Sequence, residues 1–266
     1  MHTLGRYVRF SIDPFLAKQK TGFNAFASKP AGEGLSIFLE LMVEVEGEVE
    51  AATGFVVNVS QIDRNVRQFA VPVFAEQIKD AFLQGRHISF SDVNGILKSV
   101  AEILSDKFGS CRVRRLSLKL NPFRKITMDT KEPNMVYFSE KFEFAAMHKL
   151  WNEDFSKERN FELFGKCANP SGHGHNYLVE VTIKKPSDLE RFSVTDFQKV
   201  IDCEFIQLVD HKNLNEDVGE FRKANPTIEN IAVFAWRKLT GKFEQGMLHC
   251  VTVWESERTY CSYYGP

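Results

Sequence analysis

GHGHNYLVEVTI spans Gly172–Ile183, and GEGLSIFLELMV spans Gly32–Val43. With Gly172 laid on Gly32, an offset of 140, glycines fall on glycines and the same apolar–polar alternation follows in both. A period of two is the pattern of a strand with one buried face. Outward from this pair, NVSQIDRNV (Asn58–Val66) lies over SVTDFQKVI (Ser193–Ile201) at an offset of 135. The same offset puts SDVNGILKSVAEIL (Ser91–Leu104) over PTIENIAVFAWRKL (Pro226–Leu239), and LSLKLN (Leu116–Asn121) over VTVWES (Val251–Ser256). Self-similarity at one long period marks a duplicated unit.

Each half then reads as ββααββ. Strands are expected at Tyr7–Ile12 and Ser36–Glu46, and again at Tyr137–Ala145 and Asn176–Lys185. Helices are expected at about Val59–Phe74 and Asp92–Phe108, then Thr195–Val209 and Ile228–Leu239, with Pro72 limiting the first. A strand pair closes each half. The fold class is α+β, two antiparallel sheets each covered on one face by two helices, with domains at 1–132 and 133–266. The glutamate run EVEGEVE, ending at Glu50, reads as a solvated hairpin.

Composition narrows the function. Apolar residues make up 43% and charged residues 26% of 266, enough for a buried core in a soluble chain. A formal net charge of −1 argues against a nucleic-acid or membrane surface held by bulk electrostatics. No window reaches the ~18 apolar residues of a membrane span, and the first residues carry no signal-peptide pattern. Five cysteines without a C-x-x-C pair read as reduced thiols of a cytoplasmic protein. Cys111, Cys203 and Cys250 read as buried structural residues.

The duplication separates chemistry from fold. His173 aligns with Glu33, His175 with Leu35 and Cys167 with Ala27; Asp210 and His211 align with Ala75 and Glu76, and Glu255 with Leu120. His148 falls near Asp13–Pro14. The titratable groups of the second half are thus missing from the first, while the apolar pattern persists. His173 and His175, two apart on a strand, project to one face. His148 ends the preceding strand, so three imidazoles can meet and leave a fourth position open, the pattern of a catalytic zinc site; an H-x-H pair facing water is the plain alternative. Cys167 lies in a Gly/Pro/Asn-rich loop beside Lys166, where a cation would favour the thiolate as base or nucleophile. Asp210–His211 closes a helix, as a cap or as a carboxylate-tuned proton shuttle. Glu255 continues the apolar alternation of Val251 and Val253, so it needs a strong partner such as a flat ligand with two adjacent N–H donors. Thr227 and Glu229 suit either a pocket or a helix N-terminus.

FEFAAMH, FGKCANPSGHGHNYLVEVTI, VTDF, LVDHKNLN, PTIENIAVFAW and VTVWESE together resemble the 6-pyruvoyl-tetrahydropterin synthase family over residues 137–266. The first half resembles it only as a degenerate copy. The resemblance implies the tunnelling fold, whose ββααββ units join edge to edge into barrels. It implies zinc on His148, His173 and His175, proton transfer by Cys167, Asp210 and His211, and a pterin anchored by Glu255 with Thr227 and Glu229 nearby. The implied reaction is that of a lyase in tetrahydrobiopterin biosynthesis: 7,8-dihydroneopterin triphosphate becomes 6-pyruvoyl-tetrahydropterin and triphosphate leaves. Magnesium is a candidate helper on the triphosphate.

A sister activity of the same family makes 6-carboxy-tetrahydropterin for deazapurines, typically with three residues between the cysteine and HGH. The five residues here lean to the pyruvoyl type. A non-catalytic pterin- or metal-binding assembly protein is the third reading. Family sites form between subunits, the Asp-His pair coming from a neighbour. Because Ala75 and Glu76 cannot supply it, the expected homo-oligomer is a trimer, with a ring of three C-terminal domains beside a ring of three N-terminal ones.

Overall fold

The computed structural model describes residues 1–16, 34–187 and 192–266. Glu33 and Ala27, the aligned counterparts of His173 and Cys167, lie outside the described residues. The chain divides into two compact units: Met1–Phe138 with Lys185–Glu190, and Ser139–Lys184 with Arg191–Pro266. In chain order the elements are β1 (His2–Ile12), β2 (Ile37–Gly47), α1 (Val59–Asn65), α2 (Val71–Leu83), α3 (Phe90–Leu104), β3 (Arg112–Lys119) and β4 (Arg124–Asp129). There follow β5 (Met135–His148), α4 (Lys157–Phe164), β6 (His173–Pro186), α5 (Val194–Ile201), α6 (Gln207–Val209), β7 (Lys212–Asn213), α7 (Leu214–Asp217), α8 (Ile228–Leu239), β8 (Met247–Ser256) and β9 (Thr259–Tyr263).

The first unit is an antiparallel sheet in the order β1–β2–β3–β4. Its register follows from the alternation: Leu39, Leu41, Val43 and Val45 of β2 are at most 5% exposed, while the intervening Glu40 and Glu44 pair with Arg9 and Arg115. The second unit runs β5–β6–β8–β9, antiparallel at β6–β8 and β8–β9, and the short β7 lies parallel to β5. Tyr177, Val179, Val181 and Ile183 of β6 are at most 1% exposed, each such side chain contributing about 1.5–3 kcal/mol by leaving water. Among the described residues, no helix is long and apolar enough to cross a membrane.

Three expectations need correction. Pro72 does not end the first helix, which continues to Leu83. A π-helical turn, Val66–Ala70, precedes it, and the Val71 N–H bonds the Val66 carbonyl five residues back. Pro72 therefore enters at the start of α2, where its missing N–H removes no interior α-type bond. EVEGEVE is no hairpin: Glu44–Gly47 completes β2 with Val45 fully buried, and Glu46 pairs with Lys131. Cys203 is exposed, whereas Cys111 and Cys250 are buried.

A second π-turn, Asp202–Ile206, sits at the matching place after α5. It delivers Phe205, fully buried, edge-on to Phe144 of β5 at 5.6 Å and against Phe234 of α8 at 6.1 Å. Phe144 in turn stacks on Tyr177 at 4.9 Å. Phe205→Ala is expected to lower unfolding stability by about 3–5 kcal/mol, read as a fall in denaturant midpoint at unchanged slope.

Candidate active site and metal centre

Strand geometry makes the cluster. β5 ends on His148 and β6 begins His173–Gly174–His175, so both histidines of β6 fall on the face occupied further along by Tyr177 and Val179. The ring centroids of His173 and His175 are 4.6 Å apart; those of His148 lie 4.6 Å and 5.2 Å from them. One ligand atom from each of His148, His173, His175 and Glu255 falls within 4.8 Å of the others. Glu255 Oε1 stands 3.0 Å from His175 Nε2 and 3.5 Å from His148 Nε2. Cys167 Sγ is 3.7 Å from His173 Nε2.

The loop that carries Cys167 is built by caps. Ser156 caps α4, and the fully buried Asn160 donates to the carbonyls of Asn152, Phe155 and Ser156 while accepting from the Asn152 N–H. Gly165 ends α4 at φ 53°, and a 3₁₀ turn, Gly165–Ala168, presents the thiol. The Leu150 N–H then donates to the Cys167 carbonyl, tying the loop to the end of β5.

Protonation follows from burial. Withdrawal from water pushes the His148 imidazole below its usual range, as it does that of His175, so both favour the neutral, lone-pair form. The His148 Nδ1–H donates to the Pro226 carbonyl at 2.8 Å, which leaves Nε2 as the free ligand atom. That Nε2 faces His173 Nε2 at 3.2 Å, an approach satisfied by a shared proton or by a cation. His175 Nε2 is buried without a hydrogen bond despite its nearness to Glu255, and His173 Nδ1 is likewise unsatisfied. Three neutral imidazole nitrogens fit a zinc-type cation in number and in chemistry, with the Glu255 carboxylate beside the position they leave open. Burial, and then the Glu255 charge, push the Cys167 thiol up rather than down. The expected thiolate therefore finds no support in Lys166 and needs a cation at the imidazoles.

The other predicted residues stand apart within this chain. Asp210 Oδ1 accepts from the Ala145 N–H, and the His211 N–H donates to the Ala145 carbonyl. These bonds clip the pair to β5. His211 has φ 55° and a side chain 82% exposed, with Nδ1 2.9 Å from Asp210 Oδ2. Among the described residues, no contact joins His211 to Cys167 or to the cluster. Thr227 caps α8 by accepting from the Asn230 N–H, and Glu229 sits in the first turn.

Sequence reasoning missed Pro226 and Tyr177. The first acts through its backbone carbonyl, which no side-chain pattern records; the second reads as one more core aromatic in an alternating strand. It also missed the need for Gly172, whose φ is +67° and where an added Cβ would come 2.9 Å from the His148 carbonyl oxygen. Gly172→Ala is expected to displace the β5–β6 entry and weaken metal uptake at least tenfold, measured by chelator competition. Unchanged uptake would show that the approach is not needed.

A family model for 6-pyruvoyl tetrahydropterin synthase matches residues 137–266. Human 6-pyruvoyl tetrahydrobiopterin synthase is 38% identical over 130 residues, covering 48% of this chain and 90% of that protein. The Drosophila melanogaster enzyme of the same name is 34% identical over 136 residues, 50% of this chain and 81% of that protein. The solved Caenorhabditis elegans 6-pyruvoyl tetrahydropterin synthase covers 50% of this chain and 96% of its own at 32% identity, with a TM-score of 0.46. Since residues 137–266 span nine-tenths of the human relative at that identity, the chain belongs to the 6-pyruvoyl tetrahydropterin synthase family.

Proposed function

We propose that this chain is a zinc-dependent lyase that converts 7,8-dihydroneopterin triphosphate to 6-pyruvoyl-tetrahydropterin with loss of triphosphate. The observation that carries the reading is the convergence of His148, His173 and His175 with Cys167 Sγ 3.7 Å from the His173 ring. With three imidazoles as ligands, a thiol beside them is free to serve as the base of a site that removes protons from carbon. Residues 133–266 form the catalytic tunnelling-fold domain in this reading, and residues 1–132 a degenerate copy without catalytic groups.

When bound, zinc supplies Lewis acidity at the side-chain hydroxyls, lowering the barrier to proton loss from their carbons. The chain's own groups do the rest. The three imidazoles hold their lone pairs inward. Glu255 takes the amino-pyrimidinone edge of the pterin, with Thr227 and Glu229 at the nearby α8 N-terminus. Cys167 accepts a side-chain proton, and His211, oriented by Asp210, returns one during an internal redox shift that needs no external oxidant or reductant. Magnesium on the triphosphate would ease its departure. Because His211 stays clear of Cys167 within one chain, the Asp-His pair serves the site of a neighbouring copy, in a trimer of the two-domain chain.

Three outcomes test this. Incubation with the triphosphate should give 6-pyruvoyl-tetrahydropterin by mass spectrometry; 6-carboxy-tetrahydropterin, or zinc without triphosphate release, would sink the assignment. Cys167→Ala and Glu255→Gln should keep metal, the first losing roughly 10²–10⁴-fold in kcat and the second raising KM; metal lost in Glu255→Gln would make that carboxylate a ligand. Inactive Cys167→Ala and His211→Ala chains, unfolded together and reassembled, should regain about a quarter of wild-type sites if neighbours share them, and none if each chain is self-sufficient.

A further inference from the structure

Two oxygens from different elements converge on one ring nitrogen. His148 Nδ1 lies 2.8 Å from the Pro226 carbonyl, just before α8, and 3.3 Å from the Tyr177 hydroxyl of β6. His148 is 2% exposed and Tyr177 fully buried, so water does not substitute for either contact. A carbonyl can only accept, so the proton sits on Nδ1. The Tyr177 oxygen then accepts the same N–H, and its own hydrogen has no acceptor among the described residues. A buried hydroxyl left half satisfied costs stability; Phe144, stacked on the ring at 10°, would hold a phenylalanine equally well. The hydroxyl is therefore not explained by packing.

We infer that Tyr177 is a positioning residue for His148. Together with Pro226 it shares the Nδ1 proton and fixes the rotation of the ring, which keeps the Nε2 lone pair aimed at the cluster. An imidazole on the end of a strand could otherwise turn about its last torsion. Held from β6 on one side and from the α8 loop on the other, it presents one nitrogen in one direction, the role an outer group plays for a metal-bound histidine. This inference rests on the metal reading given above.

Tyr177→Phe in the full chain separates the possibilities. Zinc affinity, measured by chelator competition, should fall about tenfold, while the Tm of the metal-stripped chain stays level or rises. Long-range ¹H–¹⁵N spectra of the stripped chains should show His148 protonated on Nδ1 in the wild type and a mixture of tautomers in the variant. A variant with unchanged zinc affinity overturns the inference, as does one whose only effect is a lower Tm in the stripped state. A wild-type chain that takes up no zinc overturns the metal reading and this inference with it; zinc bound equally by both chains overturns this inference alone.

Discussion

A one-residue slip of β6 against β8 would carry His173, His175 and Tyr177 to the opposite face of the sheet together with Val179, Val181 and Ile183. The site and the core are thus tied to one register. Val179 opposite Val253 and Val181 opposite Val251 fix it, all four without exposure. Every slipped pairing would expose them at a cost of several kcal/mol, whereas a strand polar on both faces is held in register only weakly. The apolar half of β6 therefore pins two ring nitrogens at its other end, and the precision of the cluster is inherited from ordinary core packing.

The polar end of that strand lives under the opposite pressure. Imidazoles withdrawn from water prefer to be neutral, and neutral nitrogens in close approach need a cation or a proton between them. The chain answers with shape: Gly172 allows the chain to pass the His148 carbonyl, and the Pro226 carbonyl claims the Nδ1 proton. These contacts stabilise little by themselves. They orient groups that are costly to bury, an arrangement that native packing tolerates where a ligand later repays it.

How much of this could be read beforehand depends on what periodicity can encode. Alternation places His173 and His175 on one face, and the offset between the halves assigns the reactive residues to the second. The π-turns carry no residue-type signature, and without the turn at Val66–Ala70 Pro72 reads as a helix limit rather than as an early residue of α2. The raised thiol of Cys167 is not legible either, because its causes, burial first and then the Glu255 charge, are both set by folding. Backbone partners such as Pro226 have no signature of residue type at all.

The two units share a contact that has nothing to do with the histidine cluster. Gln198 of α5 donates to the buried Glu140 of β5 at 2.7 Å. Asp63 of α1, aligned with Gln198, accepts from Arg6 of β1 at 3.2 Å and 2.7 Å and is 1% exposed. Charge has changed sides, yet a polar clasp between the first strand and the first helix persists, as does the π-turn that follows. Such a clasp is sustained by the need to pair a buried carboxylate, a constraint that acts on folding and is blind to catalysis. The histidine positions face no such constraint: Leu35, aligned with His175, precedes β2 and is 94% exposed. Pairing and packing thus act on both units alike, and an exposed position such as Leu35 is free of them.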